Sequence, residues 1–592
     1  MPDRLRFESE LESLGLREAE ARTPIASGPP KRAPIAAGPS KWVKLFPEAK
    51  RTHAEFLIDG ENYFRSLIKA IATTGKKGDY IYILGWMLDI DLQLDKNDKS
   101  KTLFNLIKEK SQKGVEVRIL IWDNLIPGYA KLHGNAIPRL SVLPNTQVFI
   151  DEHTFFPAAS KQLIQKIAPQ ITSAIHKYGK HLLNPAARLE ENFEVSGSYV
   201  IYRLLTLINQ QTIGAHHEKV VIVKGREGLI AFCGGLDINR NRVITTVSQS
   251  TAWSKFKVQK RFPYYHDNAC RVVGPAAYEV LQRFKRRWQN HPLAKNQSLI
   301  GTAEPKPAEL AAPNPYVTIV GTYNSPNGAD RDRSLKDAYL KIIKNASSYI
   351  YIEDQYLVNQ EVAKVLNAKL KEKSFRKLMF AIQDSIETAD IMIPNRMRGE
   401  FLRVLTDGIS QQDKNDKILF AVIDRTNWDK EFFHPGMHAK TLIVDDEIAI
   451  IGSANVNQRS FTCDSETCAI VFDDRLESQS NFAGQLRIQT WKDFLRKPTQ
   501  YKQIYESWWN YPTEISAGKS NISRLVKYTK DAQPDLDETI KAAIKKAGVV
   551  GVVAGYHLSG KNLQTTSVAL SPHTITYIFD TLWEHLIDPV CP

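Results

Sequence analysis

Two histidine–lysine pairs, His217-Glu-Lys219 and His438-Ala-Lys440, stand far apart in the chain, and each leads into an apolar run, VVIV or TLIV. A turn of small residues follows, Gly234-Gly235 in one case and Gly452-Ser453 in the other. An imidazole titrates near neutral pH, so one histidine can be a neutral nucleophile while a second, protonated, serves as an acid. A lysine beside it offers positive charge to phosphoryl oxygens. Cleaving a phosphodiester requires a nucleophile, an acid for the departing oxygen and cations around the remaining oxygens. One pair carries part of this and two pairs carry nearly all of it. On an extended chain a two-residue step sets both side chains on one face. Taken singly, either histidine reads as a core imidazole satisfied by backbone; duplication at equivalent positions is what argues for chemistry.

The elements around the pairs repeat as well. YIYILGW (80–86) corresponds to YIYIEDQY (349–356), GVEVRILIWD (114–123) to RKLMFAIQD (376–384), HHEKVVIV (216–223) to MHAKTLIV (437–444), and FCGGLDIN (232–239) to IIGSANVN (450–457). CRVVGPAAYEVLQRFKRRW (270–288) corresponds to CAIVFDDRLESQSNFAGQLRIQTW (468–491), a strand and then a helix. The apolar runs have the length and β-branched content of buried strands and alternate with helical patterns. This predicts an α/β fold of two duplicated halves, each a mixed β-sheet flanked by helices. Such halves should pack about a pseudo-twofold axis, with the active site at their interface. The expected organisation is a flexible N-terminal segment at 1–41, a first half at 42–295, a Pro/Ala-rich linker at 296–315, a second half at 316–500 and a C-terminal extension at 501–592. Residues 154–211, helical in pattern, have no counterpart in the second half and are expected as a lid or a surface embellishment.

These residues resemble the phospholipase D superfamily, whose motif is HxK, four residues, Asp, and then a glycine/serine turn with Asn. The second copy, His438-Ala-Lys440-TLIV-Asp445 followed by Gly452-Ser453-Ala-Asn455, follows the motif throughout; the first has Lys224 where the motif has Asp. AHHEK, GGLDINRNR, YYHDNACRVVGPAAYEVLQRFKRRW, NQRSF, DSE and LRIQTW look like segments of the eukaryotic-type phospholipases D. The resemblance implies that His217 attacks phosphorus to form a phosphohistidine, and that His438 protonates the leaving alcohol and then activates water or another alcohol. It implies that Lys219, Lys440 and Asn455 bind phosphoryl oxygens, with Asp237 in the place of the first copy's Asn. Gly235 and Ser453 are expected to line the substrate, and Gln355 to belong to the surroundings of the site. By repeat position Asp267 is expected to orient His217, and Glu466 to orient His438. Asp445 lies at the far end of its strand from the phosphate, so it should serve local architecture, and Lys224 should cost alignment before chemistry. His216 faces the other side of the strand and should be packed.

No cofactor is implied, and no metal: the histidines lack Cys or carboxylate companions at ligand spacing, and the lysines supply the charge. Hydrophobic content of 43% with 24% charged residues is ordinary for a globular protein, and no apolar run is long enough to span a bilayer. The formal charge of +14 suits anionic partners, although its even spread also fits a merely solvated surface. Cys233, Cys270, Cys463, Cys468 and Cys591 are odd in number and mostly far apart, which reads as buried thiols of a reduced compartment. The acidic N-terminus lacks a signal-peptide pattern, so a cytoplasmic location or export without a classical signal is expected, with peripheral membrane association. Trp253, Phe256 and 385–399 are candidates for a lipid-facing rim. The leading expectation is a monomer that hydrolyses glycerophospholipids at a membrane surface to phosphatidic acid and free headgroup, with transphosphatidylation. The alternatives are a nuclease or other phosphodiesterase on the same scaffold, cardiolipin synthase-like transfer, a binding-only pseudoenzyme, and a secreted effector lipase. Nucleic acid is disfavoured because no aromatic-plus-basic strand pattern for bases stands out. Cardiolipin synthase-like transfer is disfavoured for want of N-terminal membrane helices.

Overall fold

The computed structural model describes residues 40–122, 127–151, 154–155, 212–243, 265–325, 328–382, 392–422, 436–474 and 481–495. Trp253, Phe256, residues 385–391, nearly all of 154–211 and the 501–592 extension lie outside the described residues. The first half builds a sheet from β1 (His53–Ile58), β2 (Tyr80–Gly85), β3 (Glu116–Trp122), β4 (Thr146–Asp151), β5 (Val220–Gly225), β6 (Gly228–Gly234) and β7 (Asn268–Val273). The second builds one from β8 (Tyr316–Asn324), β9 (Tyr349–Asp354), β10 (Lys377–Ile382), β11 (Ile418–Val422), β12 (Thr441–Val444), β13 (Ile448–Gly452) and β14 (Glu466–Phe472). Strand order is β1-β7-β6-β5-β2-β3-β4 in the first sheet and β8-β14-β13-β12-β9-β10-β11 in the second, so the repeat read from sequence is a repeat of topology. In each sheet the first five strands pair antiparallel and the last two add in parallel.

The strands are apolar almost throughout because both faces of each sheet are covered. Ile81, Ile83, Val221 and Val223 face outward onto Phe64, Leu67 and Ile71 of helix α1 (Asp59–Ala72). The alternate residues Tyr82, Leu84, Val220 and Ile222 face inward and share one core with Tyr351, Ile443, Ala449 and Ala469 of the second sheet. Helix α2 (Pro275–Asn290) adds Val280, Phe284 and Trp288 to that inner core. On the far side Ile350, Ile352, Leu442 and Val444 pack on Leu335 and Ile342 of α3 (Ser334–Lys344) and on Val362 and Leu366 of α4 (Gln360–Leu370). No described helix is long and apolar enough to cross a membrane.

Two expectations change here. Residues 42–51 were assigned to the first half, yet Trp42, Phe46 and Ala49 sit in the outer core of the second, and Lys50–Arg51 extends the second sheet beside β8. Apolar residues on a short segment show that it packs but not against which half. Cys233, Cys270 and Cys468 are buried thiols, whereas Cys463 is disulfide-bonded. Separation along the chain does not reveal which cysteines a fold brings together.

The altered first motif has a structural explanation. Asp445 accepts hydrogen bonds from the backbone N–H groups of Ser347, Ser348 and Tyr349 at 2.6, 2.7 and 2.9 Å, tying the loop that enters β9. In the first half Asp79 does this work from within the loop, accepting from the backbone N–H of Gly75 and Lys76 at 2.8 and 3.2 Å. Lys224 is thereby released from the task and pairs instead with Glu304 of the linker, which is docked on the first half through Gly301 N–H to the Tyr82 hydroxyl at 2.8 Å. Asp445→Ala should therefore lower unfolding free energy by roughly 2–3 kcal/mol, since the buried Tyr349 N–H and two less buried donors lose a charged acceptor. Lys224→Ala, which breaks a partly exposed ion pair, should cost about 1 kcal/mol or less. Urea titrations of the two variants check the contrast.

Candidate active site

His217 and Lys219 lie just before β5, and His438 and Lys440 just before β12, where the two sheets present these ends to each other. Main-chain bonds stitch the halves together at this place. His217 N–H donates to the Ser465 carbonyl at 3.0 Å, Ser465 N–H to the Ala215 carbonyl at 2.9 Å, and His438 N–H to the His266 carbonyl at 2.9 Å. Tyr265–His266 and Gly436–Met437 pair in parallel as a two-stranded ribbon.

This stitching reverses the expected assignment of the acids. His217 Nδ1 is 3.0 and 3.2 Å from the two carboxylate oxygens of Glu466, and His438 Nδ1 is 2.6 Å from Asp267 Oδ2. Each imidazole is thus oriented by the carboxylate of the other half: Glu466 serves His217, and Asp267 serves His438. Within one sheet the strands following the histidine and the acid are separated by a third, roughly 10 Å in all at the usual strand spacing. Across the interface they are neighbours. In both cases Nδ1 carries the proton toward the carboxylate, which leaves Nε2 as the reactive nitrogen.

The carboxylates are themselves held. Glu466 accepts from the hydroxyls of Ser453 at 2.5 Å and Ser460 at 2.7 Å. Asp267 accepts from Asn268 N–H at 2.9 Å and packs so close to Gly235 that a Cβ there would lie 2.0 Å from Oδ1. Gly235 and Ser453, expected to line the substrate, are thus placed as supports of the two acids. Lys219 Nζ donates to the His217 carbonyl at 2.6 Å and lies 3.6 Å from Asp237, while Lys440 donates to the His438 carbonyl. Asp237 also accepts from Met87 N–H at 3.0 Å. Asn455 is 4% exposed, and its Oδ1 has no hydrogen-bond partner among the described residues. His216 is packed as expected, its Nδ1 2.8 Å from the Ser465 hydroxyl and its Nε2 3.4 Å from Asp151.

Gln355 is not joined to the histidines by any side-chain hydrogen bond among the described residues. It follows β9, and its carbonyl accepts from Arg398 at 2.8 Å. Its repeat counterpart, Trp86, does reach the site: the indole stands edge-on to His217 with ring centroids 5.9 Å apart, stacks on Trp122 at 5.8 Å, and has the Lys219 ammonium 5.4 Å from its centroid. The register of YIYILGW against YIYIEDQY contained that signal. Arg242 was also missed. Its Nη2 donates to His438 Nε2 at 2.9 Å, and its Nε is 3.3 Å from Asp267 Oδ2. Nothing in the spacing of GGLDINRNR points to this.

Burial, followed by Lys219 and Lys440, pushes His217 well below the ordinary imidazole value; burial, followed by Arg242 and Lys440, does the same to His438. Burial raises Asp267 to about 6 against the pull of Lys440 and Arg242, and it raises Glu466. Lys440 is brought down by burial to about 7, with Asp267 opposing the change. A lysine whose folded value lies below its unfolded value of 10.5 binds fewer protons when folded, so folding gains stability as pH rises from about 7 to 10.5. Lys440→Met should remove that part of the slope, as measured by urea midpoints across the same window. Among the described residues there is no group of three or more His, Cys, Asp or Glu side chains arranged to hold a metal ion.

Two imidazoles, each backed by a carboxylate and flanked by a lysine, on a duplicated α/β framework define a phosphoryl-transfer type of site. A family model described as a cardiolipin synthase, PLD-like domain, matches residues 339–486, which include His438, Lys440, Asn455 and Glu466. Cardiolipin synthase of Staphylococcus aureus is 23% identical over 428 residues, covering 71% of this chain and 63% of the relative. Phospholipase D delta of Arabidopsis thaliana is 24% identical over 521 residues, covering 65% of this chain and 57% of the relative. The chain therefore spans less than two thirds of the length of these curated relatives. Among solved structures, phosphatidylserine synthase of Haemophilus influenzae aligns over 80% of this chain and 95% of its own, with 13% identity and a TM-score of 0.42. The match over residues 339–486 and these relatives support assignment of the chain to the phospholipase D superfamily.

Proposed function

We propose that this protein is a phospholipase D that cleaves glycerophospholipids at a membrane surface through a covalent phosphohistidine. The observation that carries the reading is the crossed pair: two Nε2 atoms, each opposite an Nδ1 fixed on the other half's carboxylate, in one site supplied with Lys219 and Lys440. His217 Nε2 forms a bond to phosphorus as the bond to the headgroup oxygen breaks, and His438 gives that oxygen its proton. Water then transfers a proton back to His438 while its oxygen displaces His217, releasing phosphatidic acid; an alcohol in place of water gives a transphosphatidylated lipid. A second reading, transfer of the phosphatidyl group to a lipid glycerol, is favoured by the match to the cardiolipin synthase domain and uses the same intermediate.

Vesicles of phosphatidylcholine or phosphatidylglycerol, with and without ethanol, test both. Phosphatidic acid, and phosphatidylethanol when ethanol is present, are expected from wild type and not from His217→Ala. Cardiolipin as the sole product from phosphatidylglycerol would select the second reading. Nicking of plasmid DNA without any lipid product would sink both.

A further inference from the structure

Arg242 has no counterpart of its kind in the second copy. In the register of FCGGLDINRNR against IIGSANVNQRS, Arg242 stands opposite Ser460. Ser460 gives Glu466 a neutral hydroxyl at 2.7 Å; Arg242 sets a full positive charge 3.3 Å from Asp267 and extends Nη2 to within 2.9 Å of His438 Nε2. The residue is 2% exposed, and its guanidinium lies 4.7 Å from the centroid of the Tyr265 ring, which is itself 5.5 Å from the His438 ring. Arginine is a donor at every nitrogen and keeps its charge in proteins, so the Nε2 that receives it must present a lone pair. The reactive nitrogen of His438 is therefore in its base form and already engaged, with its only proton on Nδ1 facing Asp267. Among the described residues no guanidinium caps His217 in this way.

We propose that Arg242 is a positioning residue that sets the resting state of His438, holding Nε2 as an engaged base until a bound phosphodiester draws the guanidinium away. The proposal rests on the reading of His438 as the acid–base partner of a His217 phosphohistidine. Release of Arg242 lets Nε2 take a proton from solvent. That proton passes to the leaving oxygen as the P–O bond breaks and the His217–phosphorus bond forms, and His438 is again the base that Arg242 favours. The second step returns a proton from water to Nε2 as the new O–P bond replaces the N–P bond, and its loss to solvent restores the resting contact. The charged and titratable groups facing His438 are Arg242, Lys440, Lys219, His217, Asp267 and Tyr265; of the charged ones Arg242 opposes its protonation most.

The test is the pH dependence of kcat/KM on lipid vesicles for wild type, Arg242→Lys and Arg242→Gln. The first step needs His438 protonated, so the alkaline limb follows His438, joined by Lys440, which also feels Arg242. Arg242→Gln should lower the maximum about tenfold or more and move that limb to higher pH, leaving the acidic limb, governed by His217, in place. Arg242→Lys keeps a cation and should hold the limb near wild type with partial recovery of rate. A lower maximum with both limbs unmoved, or a Lys variant no better than Gln, would show a packing role and overturn the proposal. Absence of lipid turnover by wild type would instead overturn the functional reading. A second measurement needs no Arg242 variant: in 15N-histidine-labelled full-length protein, the Nε2 resonance identified by its loss in His438→Asn should be that of an accepting nitrogen and should become protonated on adding tungstate. A protonated Nε2 in the free protein refutes the resting contact.

Discussion

With a p-nitrophenyl phosphodiester, His438→Asn is expected to release one equivalent of p-nitrophenol per site and then stall, while His217→Ala releases none. A good leaving group needs little protonation, so the step that forms the His217–phosphorus bond survives loss of the acid; the step that breaks it requires a base for water and does not. Steady-state turnover should fall by about 10⁴-fold or more in both variants, and only the burst separates their roles. The stalled phosphoenzyme should be acid-labile and should map to His217. The geometry supplies the reason for this polarity. His217 has its carboxylate supported by two neutral hydroxyls, whereas His438 shares its carboxylate with the Arg242 cation and has Nε2 capped by it. A burst from His217→Ala and none from His438→Asn would reverse the assignment.

The second large effect concerns the exchanged acids. Glu466→Gln should slow the burst itself, whereas Asp267→Asn should spare the burst and slow hydrolysis of the phosphoenzyme, each by about 10²- to 10⁴-fold, as when the carboxylate of a catalytic histidine is replaced by an amide. Both oxygens of Glu466 accept hydroxyl hydrogen bonds as well as facing His217, and both oxygens of Asp267 face donors: Asn268 N–H on one side, His438 and Arg242 on the other. At Asp267 an amide nitrogen therefore meets a donor whichever way it turns; at Glu466 the serine hydroxyls can turn to accept, but the neutral amide no longer supplies the negative charge that holds the imidazole in its preferred tautomer. Transient kinetics with the same chromogenic diester separate the steps. If the acids served the histidines of their own half, the two phenotypes would be interchanged.

The contrast between the exchanged acids and the rest of the site shows where sequence reasoning stops. The duplicated HxK, the strands behind it, the small-residue turns and the two carboxylates were all legible, because strands buried on both faces must be apolar throughout and because a repeat exposes equivalent positions. Trp86 is within reach of the same register, opposite Gln355. Arg242, the disulfide at Cys463 and the packing of residues 42–51 on the second half were out of reach. Arg242 and residues 42–51 depend on contacts between segments far apart in the chain, and local pattern carries no information on such contacts.

By itself the sequence determined that two equivalent α/β units exist, that each carries one histidine, one lysine and one acid, and that their chemistry suits a phosphodiester. Tertiary structure decided how these parts are shared. Ribbon pairing of Tyr265–His266 with Gly436–Met437, and of Ala215–His217 with Ser465, brings each acid beside the other half's histidine, because the intervening strand in each sheet keeps partners of the same half too far apart. The same interface makes the site unequal. One carboxylate meets hydroxyls and the other meets a guanidinium, so two copies of one motif give their histidines unlike surroundings.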